Sequence, residues 1–224
     1  MKKVLVLGGS GFVGKAICRE LLRVGADVYS INRSGKPGGC STDLDKVNWI
    51  KGNALDPKVY KELSNIDTLI HSIGILAEPS SKKSQTDQFD VTFESEIRDT
   101  LKVAIESSKD YCAPLERIGY ISAADFGAIS RFFLPRYMNA KREAEKILES
   151  QNIPSVIARP GFMYGRDRMP TVPFSYAYSL VTLFSAGVIP KALDVNSVAR
   201  SLITALAGEN FSGIKYLEVA DLQT

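Results

Sequence analysis

The chain has 224 residues, 45% of them hydrophobic, and a formal net charge of +3, which suits one large domain with its own core. Its basic residues are scattered rather than gathered into a tail or run, so the electrostatic footprint of a nucleic-acid-binding protein is missing. Cys18, Cys40 and Cys112 lie far apart with no Cys-x-x-Cys spacing, and the one histidine is His71; this argues against a disulfide framework and a histidine-based metal site.

The first three residues lead straight into an apolar run too short for a signal-peptide core and unlike an amphipathic presequence. Lys3–Leu7 is a buried parallel strand by composition, ended by Gly8 and Gly9. Residues 12–24 carry apolar side chains at helical period and stop at Gly25. Asp27–Asn32 reads as a second strand, 47–50 as a third, 57–63 as a short helix and 66–71 as a fourth strand. Residues 77–90, rich in Ser, Lys and Gln, are expected to be a mobile loop. A long helix follows over 91–109, a fifth strand over 117–122, a helix with proline in its first turn over 135–150, and a sixth strand over 154–159. Strands alternating with helices predict an α/β Rossmann-type, doubly wound parallel sheet with right-handed crossovers. After it come the uncharged segment 169–190, a helix over 194–207 and an edge strand over 215–219. The expected organisation is one domain over 1–224, with 161–224 as a small cap on the carboxyl edge of the sheet.

The glycine loop sits between the first strand and the first helix. Its sequence, Gly8-Gly9-Ser10-Gly11-Phe12-Val13-Gly14, answers three separate demands. Gly8 and Gly9 permit a tight turn, Gly11 lets main chain approach a pyrophosphate, and Gly14 allows helix to pack on strand. The helix N-terminus offers amides and a positive dipole end to phosphates. The second strand ends in Asn32, Arg33 and Ser34, with no acid to accept from ribose hydroxyls; Asp27 lies at the wrong end of that strand. Arg33, assisted by Ser34 or Lys36, would instead pair with a 2′-phosphate, so NADP(H) is the expected cofactor and NAD(H) the alternative. Asn53 and Ala54 are expected to flank the adenine, and His71, Ser72, Ile73 and Gly74 to lie beside the cofactor, with His71 a structural or cofactor-edge residue rather than a proton donor.

Tyr137 and Lys141 share a helix face at i and i+4, and Ser122 ends the fifth strand. A tyrosine so placed acts as general acid or base when a nearby ammonium and an oxidised nicotinamide lower its pKa from about 10. Lys141 would also bond the nicotinamide ribose, and Ser122 would orient a substrate carbonyl or hydroxyl. The alternative is that Tyr137 packs and Lys141 pairs with Glu145.

Together GGSGFVG, HSIG, YISA, YMNAKREAE and ARPGFMYG resemble the short-chain dehydrogenase/reductase superfamily along nearly the whole chain, and LDVNSVA resembles its extended and atypical branches. The resemblance implies a catalytic set of Ser122, Tyr137 and Lys141, with Pro160 and Gly161 completing the cofactor contacts. Within the atypical branch the chain is similar to mitochondrial NAD(P)-binding proteins. These include the accessory subunit of respiratory complex I and, through HSIGIL, YISA, NAKREAE and RPGFM, a fungal member of the coenzyme Q biosynthesis complex. That similarity implies a place in such a complex on the matrix side of the inner membrane. Two departures stand against ordinary catalysis: 91–109 lacks the asparagine of the standard tetrad, with Glu96 near its expected place, and the substrate lobe is short. Segment 169–190 reads either as an apolar wall or membrane-surface patch, or as a lobe helix buried on the sheet.

Overall fold

The computed structural model describes residues 1–38, 42–74, 92–111, 115–125, 134–165, 167, 192–208 and 211–223. Strands β1 (Lys3–Leu7), β2 (Asp27–Asn32), β3 (Asn48–Lys51), β4 (Thr68–His71), β5 (Arg117–Ile121), β6 (Ser155–Ala158) and a final strand, Ile214–Leu217, form one sheet. Numbering Met163–Tyr164 as β7, Leu193–Asp194 as β8 and that final strand as β9, the order is β3-β2-β1-β4-β5-β6-β9, with every pairing parallel. The order reverses at β1, whose neighbours are β2 and β4, and ligands of such sheets bind outside the carboxyl ends at that point.

Both faces of the sheet are covered, which is why its strands read as continuous apolar runs. Along β1, Val4 and Val6 pack beneath helices α1 (Phe12–Arg23) and α4 (Val195–Ala207). Leu5 and Leu7 face α2 (Thr100–Tyr111) and α3 (Pro135–Glu149). All four are fully buried, each stabilising the fold by roughly 1.5–3 kcal/mol. Helix α1 ends in a Schellman turn, with Ala26 N–H donating to Leu21 O and Gly25 N–H to Leu22 O. Helix α4 is capped at its start by Asp194, which accepts from Asn196 N–H at 2.8 Å. At its end Arg117 donates to the carbonyls of Leu206 and Gly208.

Element boundaries shift by a few residues from expectation, and two differences matter. The described start of the helix expected over 91–109 is a π-helical turn, Glu94–Asp99, that runs into α2. Thr92 and Ser95 secure it by each accepting the other's amide through their hydroxyls. Of the expected cap, 168–191 lies outside the described residues, as does the loop 77–90. The rest is built into the main layers: β7 and β8 pair with each other, α4 packs on α1, and β9 extends the sheet beside β6. Among the described residues no helix is long and apolar enough to cross a membrane.

Candidate functional site

The glycine loop turns sharply at Gly8, whose φ of +80° is a left-handed conformation that a side chain resists. Its carbonyl accepts from Gly11 N–H at 2.9 Å. A Cβ on Gly14 would stand 2.1 Å from Gly8 O and 2.6 Å from Gly9 Cα, so α1 starts in direct contact with the turn. That start has no acid in its first turn and, unlike that of α4, no side-chain cap. The positive dipole end of a helix start that carries no side-chain cap suits an anion.

In front of this loop lies a cavity of about 400 Å³. It gathers eleven of the expected residues: Gly8, Ser10 and Gly11 from the loop; Asn32, Arg33 and Ser34 after β2; Asn53 and Ala54 after β3; Ser72, Ile73 and Gly74 after β4. Four lining residues were not expected: Ile31, Gly52, Glu96 and Thr100. Phe12, Val13, Gly14, His71, Tyr137, Lys141, Pro160 and Gly161 do not line it. Gly14 works instead through helix packing, and Pro160 is buried with its carbonyl accepting from Ala124 N–H.

A dinucleotide fits these residues. A Cβ on Gly11 would enter the cradle only 3.2 Å from Gly8 O. Asn32 lines the cavity with its Oδ1 accepting from Ser34 Oγ–H, while its buried Nδ2 has no partner among the described residues. That is a donor left for a ligand oxygen. Asn53 is fixed by accepting Leu55 N–H, and Ala54 by its carbonyl accepting Tyr60 O–H. Arg33 Nη1 donates to Glu96 Oε1 at 3.2 Å, so the residue expected to stand in the place of the tetrad asparagine instead faces the end of β2.

Behind the β4 loop sits a buried polar cluster. Thr100 O–H donates to the Glu96 carbonyl at 2.7 Å, so its oxygen accepts from His71 Nε2–H at 2.8 Å. His71 Nδ1 is left unprotonated and without a partner among the described residues. Burial, with help from the Lys141 charge, pulls the His71 pKa down to about 3, which suits a neutral structural residue rather than a proton donor. Lys141 Nζ donates to Ile121 O at 2.7 Å and lies 3.5 Å from Ile73 O. It also lies 3.4 Å from where a Cβ on Gly74 would be. Gly74, expected to lie beside the cofactor, thus also leaves room for the lysine and joins cavity to cluster.

Tyr137 and Lys141 come together as their spacing predicts, with Nζ 5.8 Å from the ring centroid. Burial pushes the Tyr137 phenol up to about 12 and draws Lys141 down to about 7. In the chain alone, the expected lowering of the phenol is therefore absent. Ser122 does not join the pair through its hydroxyl. It is buried and donates to Glu145 Oε1 at 2.5 Å. Glu145 also takes Arg142 and Arg159; together with the Ser122 bond they hold its carboxylate below the usual range despite burial.

The chain resembles known proteins along most of its length. It is 28% identical to MIOREX complex component 2 of Saccharomyces cerevisiae, over 96% of this chain and 97% of that protein. It is 26% identical to an uncharacterized chloroplastic protein of Arabidopsis thaliana, over 97% of this chain and 75% of that one. Its fold matches the UDP-glucose 4-epimerase of Bifidobacterium longum, solved with NAD+ and UDP, at a TM-score of 0.69 and 16% identity over 97% and 78% of the two chains. It also matches a short-chain dehydrogenase/reductase of Veillonella parvula at 0.66 and 12% identity, over 100% and 96%. Residues 4–184 match the model of one family, and with the glycine loop and cavity in place the chain belongs to that NAD dependent epimerase/dehydratase family.

Proposed function

We propose that the chain binds NADP(H), and NAD(H) less well, in the cavity before α1, and that Tyr137 and Lys141 serve an oxidoreduction of a carbonyl or alcohol. The observation that carries this is the uncapped helix start pressed against a glycine turn, opening on a cavity that ends in Arg33 on one side and in Gly74, with Lys141 behind it, on the other. The nicotinamide, when bound, supplies the hydride or takes it up. Gly8, Ser10 and Gly11 bind the phosphates, Asn32, Arg33 and Ser34 hold the adenosine ribose, and Asn53 and Ala54 flank the adenine. Tyr137 exchanges a proton at its hydroxyl with the substrate oxygen, and Lys141 stabilises the phenolate. Ser122, committed to Glu145, anchors α3 to the end of β5.

That commitment supports a second reading, in which the nucleotide is a resident of an assembly subunit and is not turned over. The similarity to MIOREX complex component 2 supports the same reading. A place in coenzyme Q biosynthesis, and on the matrix face of the inner membrane, rests on the motif resemblance alone; it supplies polyprenyl quinone intermediates as the first substrates to try. Calorimetric titration with NADPH and NADP+, followed by NADPH oxidation with Tyr137→Phe as control, tests the proposal. Binding with turnover lost in Tyr137→Phe is the expected result. Binding with no turnover of any carbonyl tried leaves the assembly reading, and no binding of either nucleotide refutes both.

A further inference from the structure

Among the residues lining the cavity, Glu96 is the acid, and its side chain is only 9% exposed. It meets Arg33 across 63 positions of sequence, tying the loop after β2 to the π-helical turn before α2. The main chain that carries this buried carboxylate is held in place: the Glu96 carbonyl accepts from Thr100, which in turn accepts from His71 at the end of β4. The guanidinium is the looser partner, 48% exposed and engaged through Nη1 at 3.2 Å. An ion pair of that exposure and geometry contributes little and exchanges readily.

We infer that Glu96 sets how far this site discriminates between NADP(H) and NAD(H), an inference that rests on the cavity being the dinucleotide site. A 2′-phosphate that reaches Arg33 shares the guanidinium with Glu96 or draws it away, and in either case lies near a buried negative charge. A ribose 2′-hydroxyl leaves the pair intact and meets no repulsion. Arg33 therefore favours NADP(H), and Glu96 opposes that preference from the facing wall.

Calorimetric titration with NADP+, NAD+, 2′,5′-ADP and 5′-AMP tests this on the parent chain and on Glu96→Gln, with Glu96→Ala repeated should glutamine disturb the turn. Removing the charge should tighten NADP+ and 2′,5′-ADP on the order of tenfold, the scale of a partly screened repulsion between neighbouring like charges. NAD+ and 5′-AMP should stay within about twofold. Arg33→Ala should weaken the two 2′-phosphorylated ligands alone. An unchanged ratio of NADP+ to NAD+ affinity in both Glu96 variants overturns this inference, as does a parallel loss of all four ligands, which marks a purely structural role. Failure of every nucleotide to bind the parent overturns the cavity reading and this inference with it.

Discussion

Replacing Gly14 by alanine puts a methyl group where main chain leaves no room. The new Cβ would stand 2.1 Å from Gly8 O, 2.6 Å from Gly9 Cα and 2.8 Å from Gly8 C, and no flexible side chain is there to swing aside. To restore an ordinary contact, α1 and the turn have to separate by about 1 Å, and overpacking of that kind costs about 1–3 kcal/mol. Alanine returns up to about 1 kcal/mol of helix propensity relative to glycine, so the net loss spans about 0–3 kcal/mol, and a backbone clash this close puts it at about 1.5 kcal/mol. For a domain of this size that lowers Tm by about 5 °C. The same separation moves the helix start away from a bound pyrophosphate, so NADPH affinity should fall as well. Gly11→Ala is the informative contrast. Its backbone, φ −74° and ψ 174°, suits any residue, and its Cβ would be 3.2 Å from Gly8 O. Its Tm without nucleotide should stay within about 2 °C of the parent's. NADPH affinity should nevertheless fall by about tenfold or more, because the methyl enters the cradle. Melting curves without nucleotide, paired with calorimetric titration of NADPH, separate the two effects. A Gly14→Ala protein that melts with the parent, or a Gly11→Ala protein that binds as tightly, refutes the reasoning.

Ser122→Ala removes a buried hydrogen bond to an ionised carboxylate and should lower stability by about 1.5–3 kcal/mol in urea titrations; nucleotide binding should persist, and a variant that is fully stable but catalytically dead would mean that Ser122 serves the substrate instead. Burial holds Lys141 near pKa 7 in the fold against 10.5 as its ordinary value. Between those pH values the unfolded chain binds a proton that the folded chain does not, so stability rises with pH, and below about 7 the dependence vanishes. Relative to Lys141→Met, the parent should therefore gain up to about 1.4 kcal/mol per pH unit across that window, and parallel stability curves in urea at pH 7.5, 8.5 and 9.5 would contradict it. Asp194→Ala removes the cap of α4 and should cost about 1 kcal/mol, or about 3 °C in Tm; an unchanged melt would show that the cap is redundant.

The alternation of apolar strands with amphipathic helices was enough to determine the doubly wound sheet, because burial on both faces imposes continuous apolar strands such as 3–7 and helical periodicity between them. The spacing of Gly8, Gly11 and Gly14 located the cradle for the same kind of reason: each demand there is local to the backbone. Tyr137 and Lys141 were legible as a pair because i and i+4 share a helix face. What sequence could not decide was where side chains from distant elements would meet. Ser122 lies at the expected strand end, yet strand alternation turns its hydroxyl under α3 to Glu145. Glu96 was noticed only as a missing asparagine, because a π-helical turn changes the helical register and brings it to Arg33. Likewise the helix over 195–207, expected within a cap, packs on α1 and covers the sheet, while the last strand takes the edge position expected of it. Local periodicity records which face of an element is apolar; it carries nothing about which other element that face will find, and that choice belongs to packing.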